Sequence, residues 1–226
     1  FITKYNNFTD DSKDYLQGIF DTILNKDIAR RLNIADTVSL ENVTKFLLHS
    51  IGNKISPTKI ANTLKSAGKS VDQKTVDKYI KGLVDSMLIY EAGRYNIKGK
   101  QFLSTQSKYY VVDVGMRNAL VKSSESDIGH ILENIVYLEL KRRYKNVYVG
   151  EIDSGEVDFV SVNDNKYEYY QVSATTLDEN TLKRELAPFG KIKDNYPKYL
   201  LTLDDVFSNA DYNGVQKINV LEWLLK

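Results

Sequence analysis

The spacing of apolar residues predicts two helices at the start of the chain. Leucine, isoleucine and phenylalanine recur every three or four positions over residues 11–33 and again over 39–51, which is the period of an amphipathic helix. Ser39 is the expected N-cap of the second helix, because its side chain can accept a hydrogen bond from the first turn. We expect residues 1–49 to form a helical segment packed on the next domain of the chain.

Residues 50–108 show a different pattern of apolar residues, which predicts two helices followed by two short strands. Ser56 can cap the first of these helices, and Asp72 or Ser70 can open the second, longer one. Apolar runs within residues 88–97 then flank a turn at residues 92–93 and predict a β-hairpin. Helix, turn, helix and hairpin is the order of a winged helix–turn–helix domain.

Residues 109–226 alternate between strands and helices. A strong amphipathic helix is expected over residues 127–144, and three strands, a helix and a further strand come after it. Those later elements are expected at 147–152, 157–162, 167–172, 178–193 and 199–202. This order is typical of an α/β unit. The predicted fold class is therefore α/β overall, with a helical winged helix–turn–helix domain followed by an α/β domain.

Charge is unevenly distributed along a chain whose formal net charge is only +1. Residues 50–108 hold 11 basic and four acidic side chains, whereas residues 109–226 hold 14 basic and 19 acidic ones. A basic segment inside a nearly neutral chain suggests an acidic partner such as nucleic acid. DNA is the expected partner of the predicted winged helix, and docking on a protein is the alternative.

The predicted winged helix also indicates which residues would touch DNA. The second helix of such a domain enters the major groove, and its hairpin touches the DNA backbone. Lysine and arginine would contact phosphates, and a glutamine could reach a base edge. The candidate nucleic-acid-binding residues are Gln73, Lys74, Lys78, Lys81, Arg94 and Lys98.

Polar residues in the predicted α/β domain fall at the positions of a nuclease site. Asp158 lies on one predicted strand, Gln171 and Ser173 lie on the next, and Glu133 interrupts the apolar stripe of the preceding helix. Nucleases of the PD-(D/E)xK type place an Asp on one strand and Glu-x-Lys on the next to hold a divalent metal. The domain therefore resembles a restriction endonuclease. That resemblance implies four catalytic positions, Glu133, Asp158, Gln171 and Ser173, of which Glu133 and Asp158 would bind Mg²⁺ or Mn²⁺.

Two of these positions depart from the nuclease pattern. Gln171 supplies a neutral amide oxygen where the pattern has Glu, and Ser173 cannot carry the positive charge of the missing Lys. Lys183, Arg184 or Lys191 could supply a cation from farther along the chain. The sequence therefore predicts a nuclease architecture without its full catalytic set, and no cofactor is expected.

The amino-acid composition limits the kinds of site that the chain can form and the cellular compartment in which we expect it. The chain has no cysteine and only two histidines, which excludes a disulfide framework and leaves little for a zinc site. No apolar run is long enough to span a bilayer, and no signal peptide is recognisable. We therefore expect a cytoplasmic protein with no membrane partner. The first residue is Phe1 rather than Met, which suggests a fragment or a processed product.

Several motifs together resemble a family of prokaryotic AAA-type ATPases that carry a C-terminal domain called DUF4143. They are YLQGIFDTILNKDIARR at 15–31, KYYVVDVGMRNAL at 108–120, GHILENIVYLELKRR at 129–143, GEVDFV at 155–160, YYQVS at 169–173 and RELAPFGKIKDNYPKYLLTLD at 184–204. The resemblance implies an ATPase module, a winged helix and a nuclease-like domain, with residues 1–49 as the tail of the ATPase lid. Since the chain lacks the phosphate-binding motif G-x-x-x-x-G-K-[ST], it would be the C-terminal part and would not bind ATP itself.

Three functions stay open on the sequence. The first is a binding module of such an ATPase, which contacts DNA or a partner through the basic winged helix and carries a degenerate nuclease-like domain. The second is a metal-dependent nucleic-acid hydrolase that uses Glu133 and Asp158. The third is a protein–protein assembly domain that docks on its own ATPase module or on a partner protein. The first is favoured, so the chain by itself is not expected to be an enzyme.

Overall fold

The structure is a computed structural model that describes residues 10–121, 127–153, 155–164 and 166–226. Residues 1–9 of the helical segment expected over residues 1–49 lie outside the described residues. The described ranges contain eight α-helices: α1 (Asp10–Thr22), α2 (Thr37–His49), α3 (Pro57–Ser66), α4 (Gln73–Asp85), α5 (Val114–Leu120), α6 (Ile128–Arg143), α7 (Glu179–Leu186) and α8 (Val220–Leu224).

Nine strands occur in the same ranges: β1 (Lys54–Ile55), β2 (Ile89–Asn96), β3 (Gln101–Val111), β4 (Val147–Ile152), β5 (Gly155–Asn163), β6 (Lys166–Ser173), β7 (Lys198–Thr202), β8 (Asp211–Tyr212) and β9 (Val215–Asn219). They are hydrogen-bonded in the order β1-β3-β2-β4-β5-β6-β7-β9-β8. The pairs β2–β4, β6–β7 and β7–β9 are parallel, and β4–β5, β5–β6 and β8–β9 are antiparallel. The predicted α/β class is confirmed in the form of this mixed sheet with helices.

The contacts of the chain divide it into two compact units. The first consists of Phe1–Glu91 and Ser107–Ser124, and the second of Ala92–Gln106 and Glu125–Lys226. The strands β2 and β3 run through these divisions, so each contributes residues to both units. The boundary expected between residues 108 and 109 falls inside β3.

Helices α3 and α4 of the first unit each begin after a residue whose side chain caps the first turn. The side chain of Ser56 accepts a hydrogen bond from the backbone N–H of Lys59 at 3.1 Å, and that of Asp72 accepts one from Thr75 at 3.0 Å. Both caps were expected, because a short polar side chain satisfies an N–H that lacks a partner within the helix. Helices α2, α3 and α4 then pack against one another through buried aliphatic side chains and one tyrosine.

Two local expectations for this half of the chain were wrong, and the helix expected over residues 11–33 forms with a change of helix type. The helix over residues 11–33 is α1 followed by a π-helical stretch, Ile23–Arg30. The N-cap of α2 is Asp36 rather than Ser39, since Asp36 accepts the backbone N–H of Ser39 at 2.9 Å. The hairpin does not turn at residues 92–93, because β2 runs straight through them.

The second unit is built around β4–β7 and β9, with α6 packed on β4, β5 and β6. The rings of Tyr137 on α6 and Phe159 on β5 lie 5.6 Å apart, which fixes the helix over the sheet. The helix expected over residues 178–193 ends at Leu186, and a short 3-10 turn comes after Pro188, whose ring removes a backbone donor. None of the described helices combines the length and the apolar character that crossing a bilayer requires.

Gly82 generates the first prediction, because it permits the close approach of α4 to the π-helical stretch. A Cβ at this position would lie 2.8 Å from Leu32 Cδ1 and 2.9 Å from Ile28 Cγ2. We expect Gly82→Leu to lower the free energy of unfolding by roughly 1–3 kcal/mol, the usual effect of overpacking. Urea denaturation measures this change.

Gly18 on α1 supplies the matched control, since nothing lies within 4 Å of a Cβ placed there. Gly18→Ala should raise the free energy of unfolding by about 0.5–1 kcal/mol, because alanine is the better helix former. Equal stability of Gly82→Leu and the unmodified chain would show that α4 has no such close approach.

Candidate functional site

Helix α4 presents one apolar face to the first unit and one basic face to solvent. Its buried residues Val76, Tyr79, Ile80 and Leu83 recur at helical spacing. The exposed residues between them include three of the predicted contacts, Lys74, Lys78 and Lys81.

Within the described residues no carboxylate forms an ion pair with Lys74, Lys78 or Lys81. Gln73 differs from them, because its Oε1 accepts the hydroxyl of Thr58 on α3 at 2.9 Å. The basic face of α4 is thus free to meet an anion, while the predicted base-reading residue has a partner inside the protein.

Arg94 and Lys98, the two predicted contacts of the hairpin, belong to the second unit and have partners there. The guanidinium of Arg94 lies 2.8 Å from Glu151 Oε1 and donates to Thr105 O at 2.8 Å, and its side chain is only 12% exposed. Lys98 pairs with Asp153 at 2.7 Å on the surface. Arg94 therefore ties β2 to β4 rather than facing a phosphate.

Asp158 lies at a β-bulge. One residue of β4, Val149, faces two residues of β5, Asp158 and Phe159, because the register shifts between the flanking pairs. The ladder of β5 with β6 ends at Phe159, and beyond it the backbone N–H of Val172 donates to Asp158 Oδ2 at 2.9 Å. The buried carboxylate of Asp158 thus replaces a carbonyl of the interrupted ladder.

Gln171 joins Asp158 to a carboxylate that the sequence did not reveal. Gln171 Oε1 accepts the backbone N–H of Asp158 at 3.3 Å, and Gln171 Nε2 donates to Glu185 Oε2 on α7 at 2.8 Å. Arg184 donates to the other oxygen of Glu185 at 2.8 Å. The signal for Glu185 was its place between the apolar residues Leu182 and Leu186 of α7.

The remaining nuclease positions have other partners. Glu133 is buried on α6, and its carboxylate lies 4.0 Å from His130 Nδ1. The hydroxyl of Ser173 donates to Thr175 O at 2.9 Å. Of the expected substitute cations, Lys183 pairs with Glu179 on the surface of α7, and Lys191 is exposed at the end of the 3-10 turn.

A metal centre would need more ligands than this arrangement brings together. Across the parts of the chain that the structure describes, no three His, Cys, Asp or Glu side chains are grouped so that they could hold a metal ion. Glu133 and Asp158 are therefore not joined there by a third carboxylate or imidazole. Two carboxylates alone leave most of the coordination sphere of Mg²⁺ to water.

A buried ion pair joins the middle of β9 to the segment that follows β7. Lys217 Nζ on β9 donates to Asp204 Oδ2 at 2.8 Å, and both side chains are almost wholly inaccessible. Thr176 adds two hydrogen bonds to the same oxygen. Burial alone would raise the pKa of Asp204, but the hydrogen bonds from Lys217, Thr175 and Thr176 hold that pKa well below its ordinary value. The fully paired cluster supports the fold rather than a reaction.

Comparison with known proteins identifies the family. The model of a family described as Domain of unknown function (DUF8612) matches residues 4–127. The chain belongs to the DUF8612 family. An "Uncharacterized protein" of Haemophilus influenzae is 39% identical over 211 residues, which cover 93% of this chain and 52% of that protein. "Uncharacterized protein MJ1544" of Methanocaldococcus jannaschii is 34% identical over 216 residues, covering 92% and 45%.

This DUF8612 chain spans about half the length of the curated relatives it matches. Among solved structures, protein VC1899 from Vibrio cholerae has a TM-score of 0.28 and 10% identity, covering 92% of this chain and 53% of that one. A likeness of that size carries no argument about the fold.

The DUF8612 match corrects the resemblance drawn from the motifs. The assignment to the DUF4143 family of AAA-type ATPases is wrong, because the family model that matches the first half of the chain is a different one. The ATPase module as a partner and residues 1–49 as the tail of an ATPase lid lose their support with it.

The hydrogen bond from the backbone N–H of Val172 to Asp158 generates a prediction about the stability of the fold. Asp158→Ala leaves the Val172 N–H without its acceptor and should lower the free energy of unfolding by about 1–3 kcal/mol. Asp158→Asn keeps an acceptor oxygen and should cost less. Urea denaturation of both variants tests this, and an Asp158→Ala protein as stable as the unmodified chain would refute it.

Asp204 generates a prediction about acid stability. Because its pKa is lower in the folded chain than in the unfolded one, its contribution is complete above the unfolded pKa of about 3.9 and declines as the pH falls below that value. Asp204→Asn, which also leaves Lys217 buried and unpaired, should cost about 3–5 kcal/mol at neutral pH.

The measurement is the free energy of unfolding at several pH values between 7 and 3. The gap between Asp204→Asn and the unmodified chain should narrow below about pH 3.9. Lys183→Met, which breaks the exposed pair with Glu179, should stay close to the unmodified chain throughout. A gap that is constant with pH would contradict the role given to Asp204.

Proposed function

We propose that this DUF8612 chain is a nucleic-acid-binding module that holds duplex DNA on helix α4 of its first unit. The observation that carries the proposal is the exposed row Lys74, Lys78 and Lys81, which has no carboxylate partner within the described residues. Lysines in such a row neutralise phosphates and release the counterions condensed on DNA.

The order of elements supports a winged helix–turn–helix around α4. The chain runs α2, β1, α3, α4, β2 and β3, and β1 returns to pair antiparallel with the end of β3 through Lys54 and Lys108. Helix α4 is the second helix of the pair, the one that enters the major groove in this architecture. Its buried face anchors it on α2 and α3 and leaves the lysines outward.

The contacts of Gln73 and Asp77 favour backbone binding over base reading. The amide oxygen of Gln73 accepts the hydroxyl of Thr58, so this bond must break before Gln73 can reach a base. Asp77 is exposed beside Lys78 on α4 and would repel a phosphate placed next to it. We therefore expect binding that depends strongly on salt and weakly on base sequence.

In the second unit the order α6, β4, β5, β6, α7, β7 supports a nuclease-like architecture that has lost its reaction. The carboxylate of Asp158 accepts a backbone N–H of the neighbouring strand, and the amide of Gln171 spans from Asp158 to Glu185. Ser173 supplies no cation at the position of the missing Lys. This unit is proposed to serve as a scaffold in the binding of nucleic acid rather than in its cleavage.

Removal of two lysines from α4 tests the proposal. Lys74→Ala/Lys78→Ala should weaken the binding of a 20-base-pair duplex and lower the slope of log affinity against log salt by about two, one for each lost phosphate contact. Fluorescence anisotropy at several salt concentrations measures both quantities. Circular dichroism should be unchanged, because both side chains are exposed.

Lys13→Ala/Lys26→Ala is the matched control. It removes two exposed lysines of α1 and the π-helical stretch and should leave the salt slope unchanged. Equal slopes for the two double variants would count against α4 as the contact. Absence of duplex binding, combined with a mass in light scattering that grows with concentration, would support an assembly domain instead.

A further inference from the structure

A row of aromatic rings crosses one face of the second unit. The ring centroids of Phe102 and Tyr95 lie 5.4 Å apart, and those of Tyr95 and Tyr167 lie 6.0 Å apart. The centroid of Tyr196 lies 5.1 Å from that of Tyr167. Tyr148 lies against the first of these rings, 5.0 Å from Phe102. The aromatic row, defined by these five residues, thus passes from the β2–β3 hairpin over the sheet to the segment after α7.

The two ends of the aromatic row differ from its middle in exposure. Tyr95 and Tyr167 are buried and share a hydrogen bond of 3.1 Å between their hydroxyls, so they serve as core. Phe102 is 66% exposed although its ring is held against two tyrosines. Tyr148 and Tyr196 are half-buried. The ring of Phe102 is therefore exposed to solvent while it packs against the rings of Tyr95 and Tyr148.

The far end of the aromatic row opens into a cavity of about 770 Å³. Phe189, Ile192 and Val215 supply buried apolar side chains to its wall, and Tyr196 and Tyr212 add half-buried rings. The volume falls within the range of small-molecule sites in proteins. It is large enough for one nucleotide, which needs an apolar wall for its base and polar groups around it.

Cations lie beside the middle of the aromatic row and at its far end. Lys100 Nζ lies 5.8 Å from the centroid of the Tyr167 ring, and Lys193 and Lys198 line the cavity. No carboxylate among the described residues pairs with Lys100 or Lys193. Three carboxylates of the second unit have partners in the protein: Asp153 binds Lys98, Asp194 accepts the hydroxyl of Tyr169, and Asp211 accepts the backbone N–H of Gly214.

We infer that the aromatic row and its cavity form a second site, which binds single-stranded nucleic acid. An unpaired base can stack on the exposed face of Phe102, whereas the bases of a duplex keep their faces against each other. Lys100 and Lys193 would meet the phosphates of the strand, and the cavity beside Tyr196 would take a base farther along it. The site lies in the second unit and does not depend on the duplex contact proposed for α4.

Replacement of Phe102 tests this inference. Binding of a fluorescein-labelled twelve-residue oligothymidylate is measured by anisotropy for the unmodified chain, Phe102→Ala and Phe102→Trp. Phe102→Ala should weaken binding by about fivefold or more, the usual loss when one stacking ring is removed, and Phe102→Trp should keep the affinity. Lys100→Ala should lower the salt slope by about 0.7, the value for one phosphate of a single strand.

Phe207→Ala is the matched control. Phe207 is also a phenylalanine of the second unit, 68% exposed, and it is not part of the aromatic row. It should bind the oligonucleotide as the unmodified chain does. Equal effects of Phe102→Ala and Phe207→Ala would overturn the inference, and so would absence of oligonucleotide binding by the unmodified chain. Loss of self-association in Phe102→Ala without such binding would assign the face to a second copy instead.

The duplex experiment separates this inference from the proposed function. Phe102→Ala should leave the binding of the 20-base-pair duplex unchanged, and Lys74→Ala/Lys78→Ala should still bind the oligothymidylate. If the lysine variant loses duplex binding while Phe102→Ala has no effect on either ligand, the aromatic site is refuted and the α4 contact stands. The reverse pattern refutes the α4 contact and leaves the aromatic site standing.

Discussion

The hydrogen bond from the backbone N–H of Val172 to the carboxylate of Asp158 constrains the centre of the second unit. It joins β6 to β5 just past the last pair of their regular ladder, where the register of β5 against β4 shifts. With Asp158 held there, Gln171 spans from its backbone to Glu185 and ties α7 to the sheet. A side chain that satisfies a buried backbone donor is less available to a metal, because a buried N–H without an acceptor is costly.

This hydrogen bonding is the reason why we propose binding through α4 rather than cleavage in the second unit. Asp158 and Glu185 of the second unit accept hydrogen bonds within the protein, and Lys183 and Arg184, two of the cations that could replace the missing lysine, are paired with Glu179 and Glu185. The basic face of α4 shows the opposite pattern, with charges that no neighbour neutralises among the described residues. A surface charge without a protein partner is available to an anionic ligand, whereas a paired charge in a core stabilises the fold.

The sequence predicted elements whose signals are local. The caps at Ser56 and Asp72 and the strand at 147–152 depend on residues a few positions apart, and the structure contains them. The prediction of a hairpin turn at residues 92–93 was wrong, because β2 continues through these residues. The residues of β2 that follow them pair with β4, which is distant in sequence. Glu185 and the Asp204–Lys217 pair were missed for the same reason, since each partner comes from another part of the chain. The motif resemblance failed differently: alternating strand patterns such as GEVDFV occur in many α/β sheets, so they carry little family information.

A gel-shift experiment with supercoiled plasmid tests whether the chain binds DNA without cutting it. The protein is incubated with the plasmid in Mg²⁺ and in Mn²⁺, and half of each sample is freed of protein before electrophoresis. We expect a retarded complex that returns intact, supercoiled plasmid once the protein is removed. Metal-dependent nicking by the unmodified chain that disappears in Asp158→Asn, a variant expected to keep the fold, would contradict it.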